Sequence, residues 1–129
     1  MNARDFPGTL DGAVEAETWA AAQCERLALA ADAAFALSLC LEELFVNAVR
    51  HGGAREIHVA LTRDGMVFRD DGAAFDPTRA PGKRLEGPSP EFEIGGFGVG
   101  LLQKFADRLD YERAGGWNVV RLAFSGAAS

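Results

Sequence analysis

Apolar residues recur at helical spacing in two long segments of the N-terminal half of the chain. In the alanine-rich residues 11–31, the positions that share one helical face are Ala16, Trp19, Ala20 and Leu27. Asp32 can cap a second helix, because its carboxylate can accept a hydrogen bond from a free backbone N–H of the first turn. We expect this second helix to run to about His51, where Gly52-Gly53 ends it.

Shorter segments alternate between apolar and polar residues and predict β-strands. Residues 4–10 predict an edge strand, because Pro7 lacks the N–H that a central strand needs. In residues 57–62 every second residue is strongly apolar, which indicates a strand with one buried face. Asp64-Gly65 then favours a tight hairpin into a further strand over residues 66–69.

The C-terminal part of the chain predicts one more helix and a second hairpin. We expect a glycine-started helix over residues 98–109, then strands at residues 110–113 and 117–124 around the turn Ala114-Gly115-Gly116. Residues 72–95 contain four of the five prolines and show no periodicity, which is typical of a functional lid. Helices on one side of a mostly antiparallel sheet make a two-layer α/β sandwich.

Composition and charge exclude several classes of protein. The 129 residues suffice for a single domain, and 48% hydrophobic with 25% charged residues are ordinary globular values rather than those of a disordered chain. The net charge is −6 and no basic run occurs, so nucleic acid is not an expected partner. The sequence shows no secretory signal and no apolar run that could span a bilayer, so we expect a cytoplasmic protein without a membrane partner. Cys24 and Cys40 fall in helical segments, which favours buried, reduced thiols over a disulfide or metal pair.

The second predicted helix places a carboxylate and a carboxamide together at the edge of its buried face. Glu43 and Asn47 are four residues apart, which at ~100° per residue puts them about 40° apart around the helix axis. The core-facing stripe consists of Leu37, Leu41, Leu44 and Ala48, while Glu42 points into solvent. Such a rim suits Mg²⁺ and polyphosphate, because hard oxygens bind the metal and a carboxylate can accept a proton. Taken alone, however, the motif favours an ordinary amphipathic helix with polar edges.

Two loops carry further candidate chemistry. Asp70 ends a strand and is followed by Asp71-Gly72, so its carboxylate can accept a hydrogen bond from an exocyclic amine while the backbone stays close to a flat base; the alternative is a plain acidic turn. Residues 95–102, Gly-Gly-Phe-Gly-Val-Gly-Leu-Leu, open a helix whose free N–H groups and positive dipole suit phosphate. A Rossmann site is rejected, because this segment follows a proline-rich loop rather than a strand.

Three of these motifs occur in an order that resembles a known family. They are Glu43-x-x-x-Asn47, Asp70-x-Gly72 and Gly96-x-Gly98-x-Gly100, and they resemble the ATP-binding boxes of the GHKL superfamily, the Bergerat fold. The likeness is closest to the short serine kinases that act as anti-sigma factors in bacterial partner-switching. It extends from Phe6 to Phe124 and includes a closing hairpin of the pattern Tyr-x-Arg-x-x-Gly-x-Asn, here Tyr111 to Asn118.

The resemblance implies a role for each matching residue. Asn47 would bind Mg²⁺, Glu43 would orient or deprotonate the attacking hydroxyl as the catalytic residue, and Asp70 would accept a hydrogen bond from the adenine amine. Gly72 would let the base lie close. The remaining residues would bind ATP at the start of the helix, with the glycines around the phosphates: Gly96, Gly98, Val99, Gly100 and Leu101. Residues 73–95 would form the ATP lid.

The same resemblance implies a function. A GHKL domain with a carboxylate at Glu43 and no evident phosphoacceptor histidine or transducer domain matches a serine/threonine kinase that phosphorylates a small antagonist protein of the STAS type and acts as an anti-sigma factor. Two alternatives stay open: a non-catalytic, nucleotide-dependent regulator that sequesters a sigma factor or other partner, and a detached histidine-kinase-like ATPase domain. Family members are often dimers, so the resemblance also leaves a homodimer as a possible assembly.

Several residues depart from the family pattern or stay outside it. Ala74 stands where the superfamily has the second glycine of its Asp-x-Gly-x-Gly box, which can restrict the first bend of the lid, and Asn118 replaces a threonine but can still form hydrogen bonds. His51 is interpreted as a structural residue and His58 as a surface residue. The lid cations Arg79, Lys83 and Arg84 are interpreted as solvated charges rather than phosphate ligands.

Overall fold

The fold was analysed in a computed structural model, in which residues 2–78, 102 and 105–124 are described. The strands and helices in chain order are β1 Asn2–Pro7, α1 Leu10–Arg26, α2 Ala31–Arg50, β2 Glu56–Leu61, β3 Gly65–Asp70, β4 Arg108–Ala114 and β5 Trp117–Ala123. The strands form one sheet in the order β1-β2-β3-β5-β4, and each neighbouring pair is antiparallel. The predicted α/β sandwich is therefore confirmed, with β1 at the edge where Pro7 is tolerated.

The helix boundaries differ from the prediction at three places. Helix α1 ends at Arg26 rather than at residue 31, because Ala28 adopts a left-handed conformation (φ 57°) and ends the helical run. Helix α2 begins after Ala30, which makes no side-chain capping bond, so the predicted cap at Asp32 is wrong and that carboxylate lies inside the first turn. Leu102 and Phe105 are helical as expected, but Arg108 already begins β4, so the helix predicted over residues 98–109 was drawn too long.

The core lies between the two helices and one face of the sheet. Its aromatic centre joins three elements, because Phe45 of α2 makes edge-to-face contacts with Phe6 of β1 and Phe68 of β3. The α2 stripe and the alternating β2 positions expected to be buried are so: Leu37, Leu41, Leu44, Ala48, Ile57, Val59 and Leu61. This packing fixes α2 against β3 and so sets the distance between the polar residues that each element carries.

The two cysteines and His58 were also assigned roles from the sequence. Cys24 and Cys40 are buried free thiols, as predicted, and burial raises the pKa of Cys40 to about 12, so that thiol is protonated at neutral pH. His58 is half-buried and contacts the carboxylate of Asp5 on the neighbouring strand, so it is a cross-strand partner rather than a merely exposed residue. Across the described ranges, no helix combines the length and apolar character needed to cross a membrane.

Candidate nucleotide site

Helix α2 buries the carboxamide of Asn47 beside the end of β3. Asn47 is only 5% exposed, and its Nδ2 atom is buried without a hydrogen-bond partner in the part of the chain that the structure describes. One turn earlier, Glu43 is half-buried at the rim, while Glu42 is exposed, as the helical spacing predicted. A buried amide N–H without a hydrogen-bond partner costs about 1–3 kcal/mol of stability. A side chain that carries such a group is typical of a site that receives a polar ligand.

Asp70 is a buried carboxylate with one oxygen held by the protein. It ends β3 and is 6% exposed. Its Oδ1 accepts hydrogen bonds from the backbone N–H of Gly72 at 2.8 Å and from Nδ2 of Asn118 at 3.0 Å. Both of the hydrogen bonds that the structure assigns to this carboxylate within residues 2–78 and 105–124 end on Oδ1. Oδ2 is therefore the oxygen of Asp70 that receives none of these hydrogen bonds.

Asn118 is the centre of the hydrogen-bond network that orients Asp70. It lies directly opposite Asp70 in the β3–β5 register and is 2% exposed. Its Nδ2 also donates to the carbonyl of Ala73 at 2.9 Å, while its Oδ1 accepts from the hydroxyl of Tyr111 at 2.6 Å and from the N–H of Phe75 at 3.3 Å. Four hydrogen bonds use the full capacity of this amide, which confirms that asparagine at this position can still form hydrogen bonds.

Burial sets the ionisation of Asp70. Desolvation raises the pKa of this carboxyl, and the hydrogen bonds from Asn118 and Gly72 lower it only in part. The neighbouring Asp71 raises the pKa further, and Arg113 lowers it. A carboxylate that burial makes costly to ionise gains most from a hydrogen-bond donor brought by a ligand.

The backbone after Asp70 is tied down on two sides. Asp71 turns outward, where its Oδ1 accepts from the N–H groups of Arg55 and Glu56 at 2.8 and 3.0 Å. Although slight burial raises the pKa of Asp71, these two backbone hydrogen bonds outweigh it and lower the pKa overall. On the other side, a guanidinium nitrogen of Arg113 donates to the carbonyl of Gly72 at 2.8 Å. The loop is therefore held at the start of β2 on one side and by β4, two strands away from β3, on the other.

Gly72 is required here by close packing against the end of helix α2. A Cβ at this position would lie 2.7 Å from the carbonyl oxygen of Gly52 and 3.0 Å from Oδ1 of Asp70. The same Gly52 carbonyl accepts a hydrogen bond from the N–H of Ala73 at 2.9 Å. We expected glycine at position 72 so that a base could lie close to the backbone. The structure gives a further reason for glycine, because the loop packs closely against the end of α2.

A small cavity lies between these elements. Its volume is about 20 Å³, on the scale of one water molecule, and its lining includes Asn47, Asp70, Asn118, Phe75 and Pro77. The helix and the sheet thus direct two buried amides and a buried carboxylate into one space. Of the three sequence motifs, the described residues include those of Asn47 and Asp70, and both of these residues line this cavity.

The start of the predicted lid packs over this cavity. Pro77 is fully buried, and Phe75 is partly buried at the lining. Ala74, which stands where the family pattern has glycine, is exposed and does not have a positive φ. An alanine is therefore accommodated there without backbone strain. Asp76 accepts hydrogen bonds from both the N–H and the hydroxyl of Thr78, which forms a compact turn.

Several predicted site residues lie outside the described residues. They are the rest of the lid with Arg79, Lys83 and Arg84, and the glycine-rich segment with Gly96, Gly98, Val99, Gly100 and Leu101. Conversely, the sequence analysis assigned no role to Tyr111 or Arg113, although it noted the pattern that contains them. Their spacing of two on a strand places them on one face, which is the signal that could have identified them.

Comparison with known proteins identifies the family. A family model for the histidine kinase-like ATPase domain matches residues 6–124. The chain belongs to the histidine kinase-like ATPase family. Among curated proteins, it is similar to the serine/threonine-protein kinase BtrW of Bordetella bronchiseptica, with 34% identity over 96 residues and 68% of each chain covered.

The histidine kinase-like ATPase fold implies a divalent cation beside its nucleotide, and the residues present fit that group. Asn47 supplies a carboxamide at the cavity, and Glu43 lies one turn away on the same helix. Among the described residues no group of three or more His, Cys, Asp or Glu side chains could hold a metal without help. A single carboxamide with one carboxylate nearby suits Mg²⁺, because this ion keeps several waters, takes few protein ligands and completes its coordination with phosphates.

Proposed function

We propose that this histidine kinase-like ATPase domain is an ATP-dependent serine/threonine protein kinase that acts as an anti-sigma regulatory factor. Its reaction would transfer the γ-phosphate of ATP to a serine or threonine of a small antagonist protein of the STAS type. The observation that carries the proposal is the shared cavity, where Asp70 has an oxygen without an assigned hydrogen bond and Asn47 has an unsatisfied N–H donor, suited to a phosphate oxygen, beside the amide oxygen that would bind Mg²⁺. The similarity to a protein named as a serine/threonine kinase supports the choice of reaction.

Adenine recognition would fall to Asp70. Its free Oδ2 would accept a hydrogen bond from the exocyclic amine, while Asn118 and Gly72 hold the other oxygen and fix the plane of the carboxylate. Guanine presents a carbonyl oxygen in place of that amine and would be disfavoured. Because the cavity is much smaller than a base, Phe75 and Pro77 at its lining would move apart on binding.

The phosphate end of the nucleotide would lie at the rim of α2. Asn47 would be the protein ligand of Mg²⁺, and the ion would neutralise charge on the phosphates. Gly96, Gly98, Val99, Gly100 and Leu101 would contribute backbone N–H groups at the start of their helix, as sequence pattern and family membership imply.

Glu43 would be the catalytic residue. This half-buried carboxylate, one helical turn from Asn47, would orient the attacking hydroxyl and accept its proton. A protein that only sequestered a partner would not need a carboxylate at this position. The alternative is a non-catalytic regulator that holds a sigma factor in a nucleotide-dependent way.

The decisive experiment is a transfer assay with material from the native cell. The chain is incubated with Mg·ATP and lysate, and partners that co-purify are examined by mass spectrometry. Phosphoserine or phosphothreonine on a small bound protein is the expected result. Nucleotide binding without phosphate on any bound partner would favour the non-catalytic regulator, and acid-labile phosphohistidine on this chain would contradict the proposal. Omission of Mg²⁺ is the matched control.

A further inference from the structure

A second and larger cavity lies between helices α1 and α2. Its volume is about 290 Å³, more than ten times that of the cavity at Asp70. The walls are mainly apolar, formed by Ala20, Ala21, Leu29, Ala34, Phe35 and Leu37. Phe35 at this cavity is 61% exposed, and its ring contacts Phe105 edge-to-face. Neither Asn47 nor Asp70 lines this space, which is therefore distinct from the candidate nucleotide site.

A carboxylate lines this cavity with one oxygen unused. The Oε1 of Glu17 accepts a hydrogen bond from the hydroxyl of Ser38 at 2.7 Å, which joins the two helices. The Oε2 of Glu17 is buried and has no hydrogen-bond partner in the described ranges. An unpartnered buried carboxylate oxygen is costly, because a charged acceptor loses water without replacement.

In the described part of the chain, every charged residue that lines the cavity is acidic. Its charged lining residues, all within the described part of the chain, are Glu17 and Glu25. Burial raises the pKa of Glu17, the bond from Ser38 lowers it in part, and the nearby Glu42 raises it again. Burial also raises the pKa of the Cys24 thiol at the same cavity, and the charge of Glu17 adds to that effect. Two carboxylates in a mainly apolar lining favour a ligand that brings a positive charge and at least one hydrogen-bond donor.

We propose that the α1–α2 cavity is a binding site for a small organic ammonium ion, a protonated primary amine on a short apolar body. The ammonium group donates to the carboxylate of Glu17 and to the hydroxyl oxygen of Ser38, since both residues line the cavity. The apolar body lies against the alanine and leucine walls, with the exposed ring of Phe35 at its side. A volume near 290 Å³ accommodates an amine of this size, close to the lower end of ordinary ligand pockets.

The test titrates the whole chain with n-butylammonium and phenethylammonium at millimolar concentrations, followed by backbone amide NMR. We expect saturable shifts at Ala20, Cys24 and Ala34, and binding of neutral n-butanol at least roughly tenfold weaker, since a charge-assisted hydrogen bond is absent. Glu17→Gln should weaken amine binding to a similar extent. Glutamine keeps the shape and can still accept from Ser38, so the fold should be retained.

Two further variants keep the test decisive. Glu15→Gln removes the same charge from an exposed position of the same helix and should bind the amines like the wild type. Ala21→Leu narrows the cavity from its exposed side without changing charge and should reduce binding even if Glu17→Gln proves unstable. Equal affinity for the amine and the alcohol, undiminished amine binding by Ala21→Leu, or the absence of saturable shifts would overturn the proposal. Because the cavity excludes Asn47 and Asp70, each of these outcomes is independent of the proposed kinase activity.

Discussion

The Asp70 cluster (Asn47, Asp70, Tyr111 and Asn118) and the α1–α2 cavity bury polar groups in opposite ways. In the cluster, Asn118 makes four hydrogen bonds, and the cavity beside it has a volume of about 20 Å³. In the α1–α2 cavity, Glu17 receives one hydrogen bond and the space is about 290 Å³. The larger space is thus the less organised of the two.

The difference teaches that volume alone does not locate the site that family membership implies. Recognition of a nucleotide depends on acceptors and donors that are already held in one orientation, and strand pairing supplies this at Asp70. The gap between α1 and α2 is larger, but the hydrogen bond between Glu17 and Ser38 is the one polar contact that the structure assigns across it among the described residues. Five predictions test this contrast, in order of expected effect.

The largest effect is expected for Glu43→Gln. The variant removes the proposed proton acceptor while keeping the size of the side chain, so phosphoryl transfer should fall ~10²–10⁴-fold with nucleotide affinity nearly unchanged. A transfer assay alongside calorimetry with Mg·ATP measures both quantities. Glu42→Gln, a change at the exposed neighbour on the same helix, is the matched control and should behave like the wild type. Equal transfer rates in both variants would remove Glu43 from catalysis.

Asp70→Asn should weaken adenine nucleotide binding by about an order of magnitude or more, because a charge-assisted hydrogen bond is worth ~1.5–3 kcal/mol. Asparagine can still accept from Gly72 and Asn118 through Oδ1, so the change acts on the oxygen left for the ligand. Asp71→Asn changes the adjacent carboxylate, which binds backbone instead, and should keep its affinity. Calorimetry decides between them, and unchanged ATP affinity in Asp70→Asn would exclude the adenine role.

Gly72→Ala should lower the free energy of unfolding by about 1–3 kcal/mol, because the new methyl group would meet the Gly52 carbonyl oxygen at 2.7 Å. Gly53→Ala is the comparison. It has open space around it but a positive φ of 63°, so its cost should come from backbone strain of about 1–2 kcal/mol. Urea denaturation measures both. Only Gly72→Ala should also reduce nucleotide affinity, and a loss of affinity in Gly53→Ala alone would contradict this assignment.

Tyr111→Phe should have a smaller effect. It removes the hydroxyl that donates to Oδ1 of Asn118 but leaves the bond from Phe75, so the expected loss is about 0.5–1.5 kcal/mol of stability. A modest loss of nucleotide affinity should accompany it, because Asn118 then holds Asp70 less rigidly. If thermal unfolding and calorimetry show neither change, the hydroxyl does not contribute to the network.

The smallest effect is a pH dependence that originates at Asp70. Burial raises the pKa of this carboxyl above its unfolded value, so the folded state favours the protonated form. Its contribution to stability is therefore present below the unfolded pKa and is lost as pH rises through the folded pKa. Relative to Asp70→Asn, the wild type should lose stability over this acidic range and stay level above it. Urea denaturation at a series of pH values gives the difference, and a parallel pH profile in both proteins would contradict it.

The sequence alone predicted the elements with the clearest local pattern. Alternation over residues 57–62 and the helical stripe from Leu37 to Ala48 specify their buried faces by spacing, and the structure confirms them. The hairpin expected at Asp64-Gly65 also forms, but Gly65 is the first residue of β3 and has no positive φ. The edge strand predicted over residues 4–10 is shifted to Asn2–Pro7, because Leu10 already begins α1. Helix ends were predicted less well, because the ends depend on one residue in a left-handed conformation, Ala28, and on a cap that Asp32 does not form.

Only the tertiary structure decided how the candidate site is assembled. The motifs at Asn47 and Asp70 are each visible in the sequence, but their union in one cavity requires α2 to pack on β3 through Phe45 and Phe68. The roles of Asn118, Tyr111 and Arg113 depend on strand register, since a shift by one residue would turn their side chains to the other face of the sheet. The α1–α2 cavity likewise depends on how the two helices pack, and contacts between residues 21 positions apart, such as Glu17 and Ser38, leave no periodic signal in the chain.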